Sequence, residues 1–225
     1  MCCQNNRWGL ALFLRARDGK RLSECDEIYV DGTFKCCPKP YYQLVTVHGR
    51  YHDRVIPVAF CLLKGKDVAL YRKMMREIKQ RVLQVSGQHL NPTRVVTDFE
   101  VSLISAIETE FPQSTVKGCY FHFTQSVWRR VVELGLAVPF KRDKALSNFV
   151  RKLMSLAYLP TAVVGQNFQL IHGCRTIRRL VRRYPAVGEL IRYFYRNYII
   201  GQFRPPMWNV FNRDSTSRNN NYVEG

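Results

Sequence analysis

Two aspartates lie inside apolar, strand-like segments of this 225-residue chain. Asp31 lies in residues 27–34 (EIYVDGTF), and Asp98 lies in residues 93–100 (TRVVTDFE). Burying an ionised carboxylate without a partner costs on the order of several kcal/mol, so each acid needs a cation, a hydrogen-bond network or a metal. We therefore predict that the two carboxylates converge on Mg²⁺ or Mn²⁺. Glu224, within the last seven residues NNNYVEG, is the candidate for a third ligand.

Each acid also has a structural interpretation, which the sequence leaves open. Asp31 and the glycine after it could begin a turn between short strands. Asp98 could be the N-cap of a following helix. Glu224 could be an exposed glutamate of a tail. The sequence also predicts that His48 and His52 are exposed on either side of a hairpin turn.

The charge of the chain favours a polyanionic partner. Its 35 Lys and Arg residues outnumber 17 Asp and Glu residues, which gives a net charge of +18 and a pI near 9.9. Residues 125–213 hold most of this excess, with 16 Lys or Arg against 3 Asp or Glu. Nucleic acid is the first expectation and an anionic membrane surface the second. No apolar segment approaches the roughly 20 residues of a membrane-spanning helix.

One basic segment has a helical spacing that suits phosphate binding. Residues 175–183 (RTIRRLVRR) place arginines at i, i+3 and i+4 with apolar residues between them. Guanidinium groups match phosphate geometry, so we predict contacts with the DNA backbone, against the alternative of a solvated face. The arginines are Arg175, Arg178, Arg179, Arg182 and Arg183.

The hydrophobic patterns predict an α+β chain. We predict strands at residues 10–14, 28–34, 42–48, 55–63, 94–97 and 115–121, with a turn at Asp18-Gly19-Lys20. We predict a helix between an Asp67 cap and Gly87, then helices at 100–111, 124–134, 143–159, 161–171, 177–183 and 187–198. Strands therefore dominate the first half, and helices fill the region after residue 140.

The order of these motifs resembles the catalytic domain of Mutator-like element (MULE) transposases, a branch of the RNase H-like fold. The matching segments are DGTF at 31–34, TDFE at 97–100, CYFH at 119–122 and the terminal NNNYVEG, which resembles an Asn-Asn-x-x-Glu signature. The resemblance implies a mixed sheet whose first and fourth core strands are parallel neighbours, flanked by helices. It also implies a lead-in at 1–26, a core at 27–139, an all-helical insertion at 140–204 and a return to the core at 205–225.

The resemblance further implies how the site works. Asp31 would bridge two metal ions, Asp98 would hold one, and Glu224 would complete the second. Cys119 and His122 would lie near these carboxylates. The alternative is a buried cysteine and a histidine that caps a helix starting at Thr124.

The implied activity is phosphoryl transfer at transposon ends and target DNA, in the nucleus, and a homo-oligomer is left open. We expect the chain to be a fragment that ends before the helix of the third acid, with weak strand transfer on its own. The alternative function is a domesticated, non-catalytic module that binds DNA or protein.

Overall fold

The computed structural model describes residues 9–33, 37–52 and 54–213, together with the backbone of residues 2–5. It divides into two compact units, one ending at Lys117 and the other beginning at Gly118. The boundary that the resemblance places between residues 139 and 140 stays a prediction. No helix in the described ranges is long and apolar enough to cross a membrane.

The first unit is built on a mixed sheet. Its strands are β1 (Cys2–Asn5), β2 (Leu10–Phe13), β3 (Glu27–Thr33), β4 (Gln43–Tyr51), β5 (Arg54–Leu63), β6 (Arg94–Thr97) and β7 (Thr115–Gly118). They are arranged in the order β1-β2-β5-β4-β3-β6-β7. Strand β3 pairs antiparallel with β4 and parallel with β6. Counted from β3, the last five strands have the order 3-2-1-4-5, which confirms the α+β, RNase H-like prediction.

Three helices belong to this unit: α1 (Ala16–Ser23), α2 (Val68–Ser86) and α3 (Val101–Glu110). Side chains of all three share one hydrophobic core with alternate residues of the strands, including Ile28 and Val30 of β3. Helix α2 begins and ends where the sequence predicts. Asp67 accepts a hydrogen bond from the N–H of Leu70, and Gly87 ends the helix at φ 72°.

The turn predicted at Asp18-Gly19-Lys20 is wrong, because these residues lie within α1. Gly19 lets α1 approach α2 closely, since a Cβ at this position would lie 2.5 Å from Cγ2 of Val85. The Asp18 carboxylate pairs with Arg15 at 2.6 Å, and the basic residues of this segment balance its charge. A glycine that serves helix packing was therefore interpreted as a turn signal.

The second unit is helical in the residues described. Its helices are α4 (Tyr120–Glu133), α5 (Ala137–Arg142), α6 (Lys144–Ser155), α7 (Thr161–Gly173), α8 (Arg175–Arg183), α9 (Ala186–Phe194) and α10 (Pro205–Trp208). A 3₁₀ turn at Leu156–Tyr158 follows α6, and a π-helical turn at Tyr195–Ile199 follows α9. Aromatic rings form the centre of this unit, where Phe123 stacks on Trp208 with centroids 4.6 Å apart.

Candidate metal centre

The parallel register of two neighbouring strands ends one residue before each of the two aspartates. In the parallel pair of β3 and β6, Val30 is the partner of Thr97. Asp31 is the next residue of β3, and Asp98 is the first residue after the end of β6. Because adjacent strands are about 4.8 Å apart, carboxylates at equal levels of two parallel strands can reach a common cation. The register is therefore compatible with a shared site, and metal binding by the two acids stays a prediction.

Alternation along β3 separates Asp31 from the helix-covered core. Ile28 and Val30 belong to that core, whereas Tyr29 and Asp31 point to the opposite face of the sheet. Asp31 is only 7% exposed and lies inside β3 rather than in a turn, so the turn interpretation of Asp31 is wrong.

Asp98 lies in the short connection between β6 and α3. Its Oδ1 accepts a hydrogen bond from the backbone N–H of Glu100 at 2.9 Å. Glu100, not Asp98, occupies the N-cap position of α3. Asp98 therefore orders the entry to the helix from two residues upstream. A carboxylate offers about four acceptor sites, so this bond is compatible with a further ligand on Asp98.

A hydrogen-bonded chain of side chains, buried at Gln43 and Tyr71 and half-buried at Glu100, connects this loop to β4. Gln43 Nε2 donates to the carbonyl oxygen of Gly65 at 2.9 Å and to the Tyr71 hydroxyl at 2.8 Å. The Tyr71 hydroxyl donates to Glu100 Oε2 at 3.1 Å. We call Gln43, Tyr71 and Glu100 the buttress. The sequence reasoning missed it, because no local pattern connects residues so far apart in the chain.

The electrostatics of the buttress fix which group donates. Burial, followed by the negative charges of Glu100 and Asp98, raises the pKa of Tyr71 and keeps its hydroxyl protonated. Burial and the Asp98 charge also raise the pKa of Glu100, although the Tyr71 hydrogen bond and Lys66 oppose this shift. The loop that carries Asp98 and Glu100 is thus contacted by the neutral hydroxyl of Tyr71. Lys66 is close enough to affect the pKa of Glu100.

The donor set suits a hard divalent cation. Mg²⁺ and Mn²⁺ prefer oxygen ligands and are often held by one or two carboxylates plus substrate phosphate, which Asp31 and Asp98 can supply. In the described part of the chain, however, no group of three or more His, Cys, Asp or Glu side chains is placed to hold a metal. Glu224, the predicted third acid, lies outside the described residues. Of the three predicted metal ligands, the described residues therefore include two carboxylates, Asp31 and Asp98.

Cys119 and His122 lie at the start of α4, in the second unit. Cys119 is fully buried and occupies the N-cap position, and His122 is in the first turn of the helix. Because α4 begins at Tyr120, the interpretation of His122 as the cap of a helix starting at Thr124 is wrong. A structural zinc ion needs four ligands, and among the described residues no further His, Cys, Asp or Glu side chain forms a metal-binding group with this pair. Their predicted place near the carboxylates stays a prediction.

The five predicted arginines all lie on the surface of α8. Ile177 and Leu180 bury the opposite side of this helix, so the predicted amphipathic pattern is present. Arg183 pairs with Asp143 at 3.3 Å. Arg175, Arg178, Arg179 and Arg182 are exposed at i, i+3, i+4 and i+7, a spacing that aligns them on one face.

The prediction that His48 is exposed is wrong, because this residue is buried. The same prediction for His52 is confirmed. His48 is 4% exposed and pairs with Tyr29 across the β3–β4 ladder. Strand β4 continues to Tyr51, three residues beyond its predicted end, and carries His48 into the sheet. Burial lowers the pKa of His48 to about 4, so the imidazole is neutral at physiological pH.

Comparison with known families identifies the part of the chain that holds both aspartates. Residues 27–126 match the family model described as the MULE transposase domain, which confirms the resemblance drawn from the motifs. The match begins at the first residue of β3 and ends within α4. A search of curated proteins finds no match.

Proposed function

Because residues 27–126 carry a MULE transposase domain, we propose that this chain acts on DNA ends by DDE-type phosphoryl transfer with Mg²⁺ or Mn²⁺. The observation that supports this activity most directly is the parallel pairing of β3 and β6, whose register reaches Val30 and Thr97, the residues just before Asp31 and Asp98. The proposed substrates are the ends of a transposable element and its target DNA, and the proposed compartment is the nucleus.

The proposed roles follow from the donors and from the family. Asp31 would supply carboxylate oxygens from β3, Asp98 from the connection after β6, and Glu224 the third carboxylate by family resemblance. Divalent cations held by these carboxylates would supply activation of the attacking oxygen and stabilisation of the leaving oxygen for in-line displacement at phosphorus. Water as the nucleophile gives hydrolysis, and a DNA 3′-hydroxyl gives strand transfer.

Metal titration tests this proposal without requiring DNA. Calorimetry with Mn²⁺ should show a binding site in the unsubstituted protein that is lost in Asp31→Asn and in Asp98→Asn. Asp26→Asn is the matched control, because Asp26 is an exposed acid just before the opposite end of β3. Equal titration curves for all four proteins would refute the metal site and support the non-catalytic alternative.

We propose that the exposed arginines of α8 bind the DNA backbone. Phosphate contacts release counterions, so affinity falls with salt at a slope of about −0.9 per contact on a log–log plot. Arg178→Gln combined with Arg182→Gln should reduce that slope by about 2 for any duplex sequence. Arg17→Gln, an exposed arginine on α1, is the control. An unchanged slope would assign the α8 arginines to a solvated surface.

A further inference from the structure

The buttress reaches both strands of the candidate centre from the helix-covered side of the sheet. Gln43 and Tyr71 are buried, with Gln43 fully inaccessible and Tyr71 1% exposed. Glu100 presents its N–H to Asp98 at 2.9 Å while its carboxylate accepts the Tyr71 hydroxyl. The position of the Asp98 carboxylate therefore depends on where Tyr71 holds Glu100.

The same chain touches β3 at the residue after Asp31. A Cβ on Gly32 would lie 3.2 Å from Gln43 Oε1. The space beside the amide is therefore too tight for a larger residue unless Gln43 shifts. Gln43 Oε1 is buried and accepts no hydrogen bond in the described part of the chain. Gly32 and Gln43 face the helices, whereas Asp31 faces the other side. The amide therefore lies next to β3 on the face of the sheet opposite the Asp31 side chain.

Each hydrogen bond in this chain has a defined donor and acceptor, and the direction runs from Gln43 through Tyr71 to Glu100. Both protons of the Gln43 amide are used, one on Gly65 and one on Tyr71, so Gln43 cannot accept from the phenol through its nitrogen. The single hydroxyl proton of Tyr71 is then directed at Glu100. Because each donor has one assigned acceptor, removing the hydroxyl leaves a buried donor and a carboxylate oxygen without their partner.

We propose that Gln43, Tyr71 and Glu100 are positioning residues that fix the Asp98 carboxylate relative to Asp31 and thereby set the affinity of the centre for its divalent cation. This inference rests on the proposed function. The three residues act through the backbone of the β6–α3 connection and through β3. Outer groups that orient metal ligands typically change metal affinity by about 10- to 100-fold when they are removed.

Tyr71→Phe is the most direct test, because it removes one hydroxyl and keeps the ring in the core. It should weaken Mn²⁺ binding roughly 10-fold in calorimetry while the circular dichroism spectrum stays unchanged. Gly32→Ala approaches the same chain from β3, where the new methyl group presses on Gln43, and it should weaken binding in the same direction. Tyr51→Phe is the matched control, since Tyr51 lies at the other end of β4 from Gln43.

A second readout needs no metal. Hydrogen exchange of the Glu100 amide, followed by NMR in metal-free protein, should become about fivefold faster in Tyr71→Phe, the factor that corresponds to one ordinary hydrogen bond. Tyr51→Phe should leave this rate unchanged. The exchange rate reports the buttress itself, and the titration reports what the buttress does for the cation.

The two readouts separate failure of the buttress from failure of the proposed function. If the unsubstituted protein binds no Mn²⁺, the proposed function fails, and the positioning role for a cation fails with it, whatever the exchange rates show. If the unsubstituted protein binds Mn²⁺ and Tyr71→Phe changes neither its affinity nor the Glu100 exchange rate, the buttress proposal is overturned while the metal site stands. Faster exchange with unchanged affinity would also overturn it.

Discussion

Gly19 offers a test in which two physical effects have opposite signs. Replacing a mid-helix glycine with alanine normally stabilises a helix by roughly 0.5–1 kcal/mol. In α1 the new Cβ would lie 2.5 Å from Cγ2 of Val85 on α2. Val85 is β-branched and has one strongly preferred rotamer in a helix, so its methyl group cannot readily turn away. Overpacking costs about 1–3 kcal/mol, and we expect Gly19→Ala to destabilise the first unit by about 1 kcal/mol or more.

The assay must report the two units separately. Hydrogen exchange with mass spectrometry along a urea gradient gives a local unfolding free energy for α1 and for α7 in the same sample. Gly165→Ala is the matched control, because a Cβ at this position of α7 meets no atom within 4 Å. It should stabilise its helix by roughly 0.5–1 kcal/mol. Val85→Ala should restore part of the loss when it is combined with Gly19→Ala.

One result would refute this reasoning. If Gly19→Ala stabilises α1 as much as Gly165→Ala stabilises α7, the close approach of α1 to α2 is not what requires glycine. A loss of stability that the double variant does not relieve would assign the cost to a contact other than Val85. The coupling of the two substitutions, measured as a double-mutant cycle, distinguishes these outcomes.

Two further predictions concern pH. The pKa of buried His48 is about 4, below its ordinary value of 6.5, so stability present above pH 6.5 should fall by up to about 3 kcal/mol as pH drops toward 4. His48→Phe should flatten that part of the profile in urea unfolding. Burial opposes ionisation of Glu110, but hydrogen bonds from Arg76 and Arg72 outweigh it and lower its pKa. Glu110→Gln should therefore cost up to about 1 kcal/mol at pH 7 and nothing once pH falls well below 4.5, and a constant cost would contradict this linkage.

The sequence predicts best where a structure is specified by neighbouring residues. Strand β6 was predicted with its observed bounds, and α2 was predicted with both of its caps. In each case the determinants lie within a few residues: a run of β-branched residues, a capping carboxylate, or a glycine at positive φ. The motif order then supplied the parallel pairing of β3 and β6, which no local pattern could have given.

The wrong predictions concern residues whose conformation depends on contacts with residues that are distant in sequence. Gly19 was interpreted by its type, whereas its role is set by Val85 in another helix. Helix α4 begins four residues before its predicted start, because the aromatic residues at its beginning were interpreted as strand formers. Tyr120, the first of these, instead packs on Tyr158 with ring centroids 5.1 Å apart, although the two residues are 38 positions apart in the chain. β-branched and aromatic propensity depends on what the side chain packs against, and the sequence alone does not give that.

The buttress is a further case in which the role of a residue depends on partners that are distant in sequence. Asp98 was given two interpretations, a metal ligand or a local cap, as if one excluded the other. In the structure one carboxylate oxygen already holds the N–H of Glu100. Such a bond restricts the rotamers of Asp98, which favours the proposed binding of a cation. Ordering the entry to α3 therefore does not exclude the proposed metal binding by Asp98, and substitution by Asn, which keeps the acceptor but not the charge, separates the two roles.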